Sequence, residues 1–491
     1  MQPTNVKTIK TDFERIFHPR RLAIAGVSTQ AVGFGSGILD SLLAIGFEGE
    51  IFPVNPRGGE IFGLKIYHRI EDIPGEIDFA IICVAADLVP AALAACREKG
   101  AAGAEILSAG FRELGTAEGI AREEAIKAEA QKGIRIVGPN CFGIYCPKSG
   151  LTLLPGPDLS RKSGPVGFMS QSGGLAIDFA FMGMGLGFGF SKMISFGNGS
   201  DLRETELLDY FADDPETGII ALYMEGVANG DRFFRALKAA AAKKPVIIYK
   251  GGLSEAGNRA VASHTASLGG SRVIWESLIR QAGAIQVHDF QELCHACLAF
   301  SLLPRRSYRG MTVLGGGGAL GVAACDAAEA NGLFLPPLGG AIYDAITAAL
   351  PQPGSSAANP IDVASPMVTP QALKTVLLEA GRDERVDIQI QVSLLHHYKA
   401  FVQRMKLPSL DAAVPLTEFG DVAREAVEKT GKPVVLVLPN YRQTVHDLDV
   451  EGLVRQAREI FLANGIPVFG TLQDALQAIR HVSDYYRRQG L

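Results

Sequence analysis

Apolar runs about as long as a strand alternate with amphipathic stretches about as long as a helix over most of the chain, and this alternation predicts strands connected by helices. In residues 1–147 the runs Arg21–Val27, Glu50–Val54, Ile77–Val84, Ala104–Ser108 and Ile134–Val137 read as strands. Helices over Ser36–Gly46, Leu88–Lys99 and Glu118–Lys132 fall between them. Apolar strands joined by helices imply a parallel, doubly wound sheet, whose ligand belongs at the carboxyl ends of the strands. The residues there are Gly26-Val27-Ser28, Val54-Asn55-Pro56-Arg57, Val84-Ala85-Ala86, Ser108-Ala109-Gly110-Phe111 and Gly138-Pro139-Asn140-Cys141. Most are small or turn-forming, and Arg57 alone is charged. One cation among backbone N–H donors suits a phosphorylated, nucleotide-like ligand.

A second α/β stretch covers 148–304, with strands over Val166–Ser170, Met193–Phe196, Ile219–Met224 and Val246–Lys250, and a helix over Gly173–Met184. The polar, basic segment Pro304–Gly310 reads as a linker. From Met311 the pattern restarts with a strand at Thr312–Leu314, the glycines Gly315–Gly318 and a helix through Asp326 to Ala330. Three α/β domains are expected, at 1–147, 148–304 and 311–491. The second and third open alike, as distant internal relatives would, and the third is expected to support structure or assembly.

Composition narrows the classes of function. A length of 491 residues exceeds one ordinary core and agrees with about three domains. A net charge of −5 with no basic block leaves no electrostatic footprint for nucleic acid or an anionic membrane, so a small-molecule partner is expected. The longest apolar run, Phe179–Phe190, is interrupted by glycines and falls well short of the roughly 20 residues that span a bilayer. Residues Met1–Lys10 lack a secretory apolar stretch, and a cytoplasmic protein is expected. Seven cysteines argue against a disulfide framework. Cys294 and Cys297 have metal-like spacing but lie in a helical stretch with no second pair to complete four ligands, so they read as buried small residues. His396-His397 reads as a strand end.

Candidate chemistry concentrates in two places. His264 lies in the small-residue run Gly257–Gly270, where glycine, alanine, serine and threonine leave room for a bulky anion to dock. That setting suits a histidine that is phosphorylated. Upstream, Ser170-Gln171-Ser172-Gly173-Gly174 ends a strand and opens a helix, which presents backbone N–H groups and a positive dipole to phosphate.

The segments Val54–Arg57, Ser108–Phe111, Gly138–Cys141, Ser170–Gly174, Ser195–Asn198, Tyr223–Gly226 and Ser263–Thr265, in this order, resemble the α subunit of ADP-forming (NDP-forming) acyl-CoA synthetases. These are the acetate–CoA ligase branch of the succinyl-CoA synthetase superfamily. The resemblance covers Phe13 to Pro304 and extends more weakly through Gly315–Gly318 and Asn359–Asp362. It implies a Rossmann-like CoA-binding domain followed by two flavodoxin-like (succinyl-CoA synthetase-like) doubly wound domains.

The implied reaction interconverts acyl-CoA, phosphate and ADP with carboxylate, CoA and ATP. By resemblance, coenzyme A would be held by Gly26, Ser28, Thr29, Gln30, Asn55, Pro56, Arg57, Val84, Ser108, Ala109, Gly110 and Asn140. Phosphate would be held by Ser170, Gln171, Ser172, Gly173 and Gly174. His264 would carry the phosphoryl group, with Glu225 accepting a hydrogen bond from the other ring nitrogen. The resemblance calls for no metal ligand on this chain. It assigns Mg-ADP/ATP to a separate ATP-grasp β subunit, in an α2β2 assembly. At the position of a tyrosine in succinate-using relatives this chain has Ile177, which argues for a monocarboxylate or apolar acyl group. Ala266 and Gly269 also depart from the family's histidine loop, but both remain small.

Two other readings compete. A CoA-binding regulatory protein of the same fold would bind CoA without turnover, and the paired Glu225 and His264 speak against it. An NAD-dependent oxidoreductase would share the opening strand and glycine. Gly26–Gly33, however, does not reproduce G-x-G-x-x-G, and the second strand ends in Arg57 rather than an acidic ribose ligand.

Overall fold

The computed structural model of the chain describes residues 11–29, 33–152, 158–265, 271–365 and 367–491, and the side chains of all of these except 262–265. The residues form two units, 1–290 and 291–491.

The first unit contains two open sheets. Strands β1 (Arg21–Ala25), β2 (Glu50–Val54), β5 (Phe79–Ile82), β6 (Gly103–Ile106) and β7 (Arg135–Val137) make a parallel sheet in the order β2-β1-β5-β6-β7. The short antiparallel pair β3 (Gly59–Ile61) and β4 (Leu64–Ile66) is inserted after β2. The second sheet runs β13-β12-β11-β9-β10-β8, built from β8 (Gly143–Tyr145), β9 (Ser163–Ser170), β10 (Phe190–Ser195), β11 (Ile219–Met224), β12 (Val246–Lys250) and β13 (Ile285–Val287). All its neighbours are parallel except β8, which pairs antiparallel with β10.

Both faces of the central strands are covered, which is why their sequences are apolar without alternation. Leu22, Ile24, Phe79 and Ile81 enter one core, and Ala23, Ala25, Ala80 and Ile82 enter another. The first of these cores also contains Met169, Ile194, Phe196 and Leu222 of the second sheet region, so a continuous apolar interior joins the two sheets. Each such side chain removed from water contributes about 1.5–3 kcal/mol.

The second unit holds one parallel sheet of β14 (Met311–Gly315), β15 (Ile361–Asp362), β16 (Ile388–Val392), β17 (Val434–Val437) and β18 (Val468–Phe469), in the order β15-β14-β16-β17-β18. Setting aside the β3–β4 hairpin and the antiparallel β8, all three sheets place their strands in the sequence second, first, third, fourth, fifth. In that order the chain reverses direction of winding beside the first strand, and a crevice opens there. Cys294 and Cys297 are buried in the helix Phe290–Leu302. The segment expected as a linker is tied into this unit, because Tyr308 is buried and its N–H donates to Ser483 Oγ at 2.9 Å. His396 and His397 lie beyond β16, in a short turn at Leu395–His397. Among the described residues no helix is long and apolar enough to cross a membrane.

Candidate active site

The proposed CoA-binding residues line the carboxyl edge of the first sheet. Gly26 follows β1 with φ +99°, and a side chain there would overlap the Cys83 carbonyl, so the backbone itself occupies the crevice. Gly35, in the first turn of the helix Phe34–Ile45, packs against the Gly26 carbonyl just as closely. Beside this loop, Asn55 Oδ1 accepts from the Arg57 N–H at 3.0 Å, a local turn that leaves Arg57 exposed. Gly59 lies so near the Thr29 methyl that a Cβ would sit 2.9 Å from it, which draws the loops after β1 and β2 together. Further along the edge the Ser108 hydroxyl donates to the Val84 carbonyl, and the Asn140 N–H donates to the Ser108 carbonyl at 3.0 Å. Gln30 lies outside the described residues.

At Asn140 the first sheet's edge meets the second's. Asn198 N–H donates to the Pro139 carbonyl at 3.0 Å and Ser200 N–H to the Gly138 carbonyl at 2.9 Å. Gly197, with φ +51°, comes so close that any Cβ would overlap the Pro139 and Asn140 carbonyls. Side chains reinforce the joint: Glu113 accepts from Gly110 N–H at 2.6 Å and Phe111 N–H at 3.0 Å with one oxygen, and from Asn198 Nδ2 at 2.6 Å with the other. Those donors outweigh burial and hold the Glu113 carboxyl below its ordinary range.

The expected phosphate-binding segment lies beside this joint. Phe142 N–H donates to Ser195 Oγ at 3.2 Å, and the Phe142 ring packs against Gly173, where a Cβ would come within 2.7 Å. Ser170 Oγ accepts from Ser172 N–H at 3.0 Å, and Ser172 Oγ caps the helix Gly173–Leu186 by accepting from Leu175 N–H at 3.3 Å. Gln171 does something the sequence did not suggest. Its side-chain oxygen accepts from the N–H groups of Glu225 and Gly226, the latter at 3.0 Å, so it anchors the end of β11.

Glu225 is buried at 7% exposure, and Tyr223 donates its hydroxyl proton to Glu225 Oε1 at 3.3 Å. On the next strand Lys250 is buried at 3% exposure and donates from Nζ to the Glu225 carbonyl at 2.8 Å and to the Gly251 carbonyl. The backbone then turns through Gly252, φ +74°, into a helix, Glu255–Thr265. The residues around His264 were expected as a loop. Ser254 Oγ accepts from Gly257 N–H at 3.0 Å at the start of this helix, and Ala256, Ala260 and Ala262 carry no helix penalty, so the segment winds as far as Thr265. The helix packs against the Arg112–Leu114 turn on the first sheet's edge. The His264 side chain lies outside the described residues.

Cavities also lie elsewhere among the described residues. One, about 670 Å³, is lined by Phe13, His18, Lys192, Tyr210, Asp214 and Glu216, near the amino ends of β10 and β11. Its buried ammonium, Lys192, is matched by Asp214 at 2.9 Å and Glu216 at 2.5 Å, a self-satisfied ion network at the edge of the sheet opposite the carboxyl ends of its strands. A cavity of about 270 Å³ in the second unit joins Gly315, Gly317 and Gly318 to Asp362, whose Oδ1 accepts from Gly317 N–H at 3.1 Å.

The comparisons with known proteins agree with this geometry. Residues 20–147 match the family model of a CoA binding domain, and residues 163–300 match that of the succinyl-CoA ligase like flavodoxin domain. The α subunit of acetate–CoA ligase [ADP-forming] I of Pyrococcus furiosus is 32% identical over 95% of this chain and 96% of its own. Acetate–CoA ligase [ADP-forming] II of Archaeoglobus fulgidus is 32% identical over 97% of this chain and 68% of its own. A solved structure, the dinucleotide forming acetyl-coenzyme A synthetase 1 of Ca. Korarchaeum cryptofilum in complex with phosphate and ADP, superimposes with a TM-score of 0.82 at 30% identity, covering 98% of each chain. Similarity over nearly the full length in both sequence and architecture identifies the family: this chain belongs to the ADP-forming acetate–CoA ligases, in their α-subunit form.

Proposed function

We propose that this chain is the CoA-binding, phosphohistidine-bearing subunit of an NDP-forming acyl-CoA synthetase, an acid–thiol ligase. Inorganic phosphate attacks the thioester carbonyl, the C–S bond breaks, and CoA leaves as thiolate while an acyl phosphate forms. The neutral imidazole of His264 then attacks phosphorus, the carboxylate departs, and the phosphoryl group remains on nitrogen. The helix opening at Ser172–Gly174 supplies N–H groups and a positive dipole to the phosphate charge. Glu225 holds the imidazole tautomer and stabilises the charged phosphoimidazole. A partner subunit of the ATP-grasp type, carrying Mg-ADP, accepts the phosphoryl group, and the assembly is α2β2. The division into 1–147, 148–304 and 311–491, a cytoplasmic location and a monocarboxylic or apolar acyl substrate belong to the same proposal.

The observation that carries this reading is the joint between Gly138–Asn140 and Gly197–Ser200, which sets the expected CoA edge beside the start of the helix Gly173–Leu186. The decisive experiment incubates the purified chain with acetyl-CoA and radiolabelled orthophosphate. Acid-labile label on the wild type and none on His264→Ala is the expected result. Equal labelling of both, or labelling of neither, overturns it.

A further inference from the structure

Lys250 has no part in the reaction as described, yet it is one of the most enclosed cations in the molecule. It ends β12, immediately before the residues that lead to His264, and its ammonium touches its own neighbour in the chain and two separate segments. It donates to the carbonyl of Glu225 at the end of β11. It donates to the carbonyl of Gly251, at the start of the connection into the helix Glu255–Thr265. It also lies 5.0 Å from the centre of the Trp275 ring, on the helix Arg272–Ala282 that follows the His264 segment. Trp275 is itself buried and packs on Phe233.

The surrounding backbone leaves little slack. Gly251 N–H donates to the Met224 carbonyl at 2.9 Å, a Cβ on Gly251 would meet the Tyr223 hydroxyl at 2.7 Å, and one on Gly252 would meet Val261 at 2.7 Å. The ammonium thus fastens the strand end bearing Glu225 to both flanks of the segment bearing His264.

We infer that Lys250 is a positioning residue for phosphoryl transfer, a clasp whose charged form sets Glu225 and the His264 segment in register. The inference rests on the roles proposed above for those two residues.

The charge on the clasp is titratable within reach of physiological pH. Burial pulls the Lys250 ammonium down to about 8, against an opposing pull from the Glu225 carboxylate. The other charged groups described on the packed elements are exposed or half-exposed: Glu255 and Arg259 on the histidine helix, Arg272, Glu276 and Arg280 on the Trp275 helix, Asp231, Arg232, Arg235, Lys238 and Lys243 on the helix Gly230–Lys243, and His288 and Asp289 after β13. Above pH 8 the folded protein holds a neutral amine, and the charge-assisted bonds and the cation–π contact weaken. The unfolded chain keeps its ammonium to about 10.5. Between these values the unfolded state binds the extra proton, so Lys250's contribution to stability rises with pH while its positioning charge is lost. A merely structural lysine would not move function and stability in opposite directions.

The test measures the rate of acid-labile labelling from acetyl-CoA and orthophosphate against pH, alongside thermal melting, for the wild type, Lys250→Met and Lys250→Arg as full chains. The clasp requires a wild-type decline in rate centred near pH 8 without a matching fall in melting temperature. Lys250→Met should label on the order of a hundredfold more slowly and lose that decline. Lys250→Arg, charged at every pH tested, should shift the decline upward. If the wild type labels and its alkaline limb is absent, or survives unchanged in Lys250→Arg, the clasp is wrong and the functional reading stands. If Lys250→Met folds and labels at the wild-type rate, the clasp is likewise wrong. If the wild type does not label, the functional reading fails and takes the clasp with it.

Discussion

Glu225 is held by its main chain. Its N–H and that of Gly226 both donate to Gln171, and its carbonyl accepts from Lys250, so the carboxylate projects from a backbone pinned on two sides. Replacing Glu225 by Gln should leave CoA affinity unchanged, as read by calorimetry, and slow phosphohistidine formation by roughly 10- to 100-fold, the usual effect of losing a group that orients a reactive imidazole. Gln171→Leu is predicted to act through the fold. Two buried N–H groups would lose their acceptor at about 1–3 kcal/mol each, measurable as a lower denaturation midpoint together with slower labelling. At this scale residue type singled out His264 and Glu225 as candidates, and the fold places Glu225 buried at the end of β11. The sequence was silent at Lys250, because a lysine closing the apolar run Val246–Lys250 looks like a solvated strand end until the covering Trp275 is known. The anchoring role of Gln171 was hidden because its partner strand is distant in sequence.

Among the elements, strands of five or six residues were the most legible: β2, β11 and β12 fall where their apolar runs predict them. Of the three-residue strands, β7 was read from its apolar run, while β3, β4, β8 and β13 are too short to display a period. The helix through His264 was obscured by glycines and small residues that suggest a loop, while the Ser254 cap and the alanines decided the outcome. No local pattern could reveal that the turn after β7 docks on the turn after β10, since that contact is made by backbone atoms remote in sequence. Gly197→Ala tests it. A side chain at φ +51° facing two carbonyls should destabilise the first unit by about 1–3 kcal/mol, and CoA binding and labelling should fall together.

For the whole molecule, acid stability and division of labour follow. Burial pushes the Glu216 carboxyl up, but hydrogen bonds from Lys148 and Lys192 prevail and hold it down to about 2. A carboxyl depressed from 4.5 contributes stability above that pH and loses it as pH falls toward 2. Acid titration followed by circular dichroism should therefore show the wild type losing stability over that window, and Glu216→Gln showing a shallower dependence. Alone, the chain should accept label from acetyl-CoA and orthophosphate yet make no ATP from ADP; luciferase detection of ATP should become positive only when a nucleotide-binding partner is added. The repeated strand order of the three sheets was foreshadowed by the recurrence of strand, glycines and helix at Val166 and Met311, although only the folded chain reveals that the first sheet shares it.

The turn-to-turn joint also bears on how such a protein can diversify. Hydrogen bonds between main-chain amides and carbonyls at Gly138–Asn140 and Gly197–Ser200 are indifferent to neighbouring side-chain identity. Under the function proposed above, substitutions that reshape the room for a substrate's tail can accumulate while the spacing of the two sheet edges stays constant, so new acid preferences can evolve without re-engineering the relay.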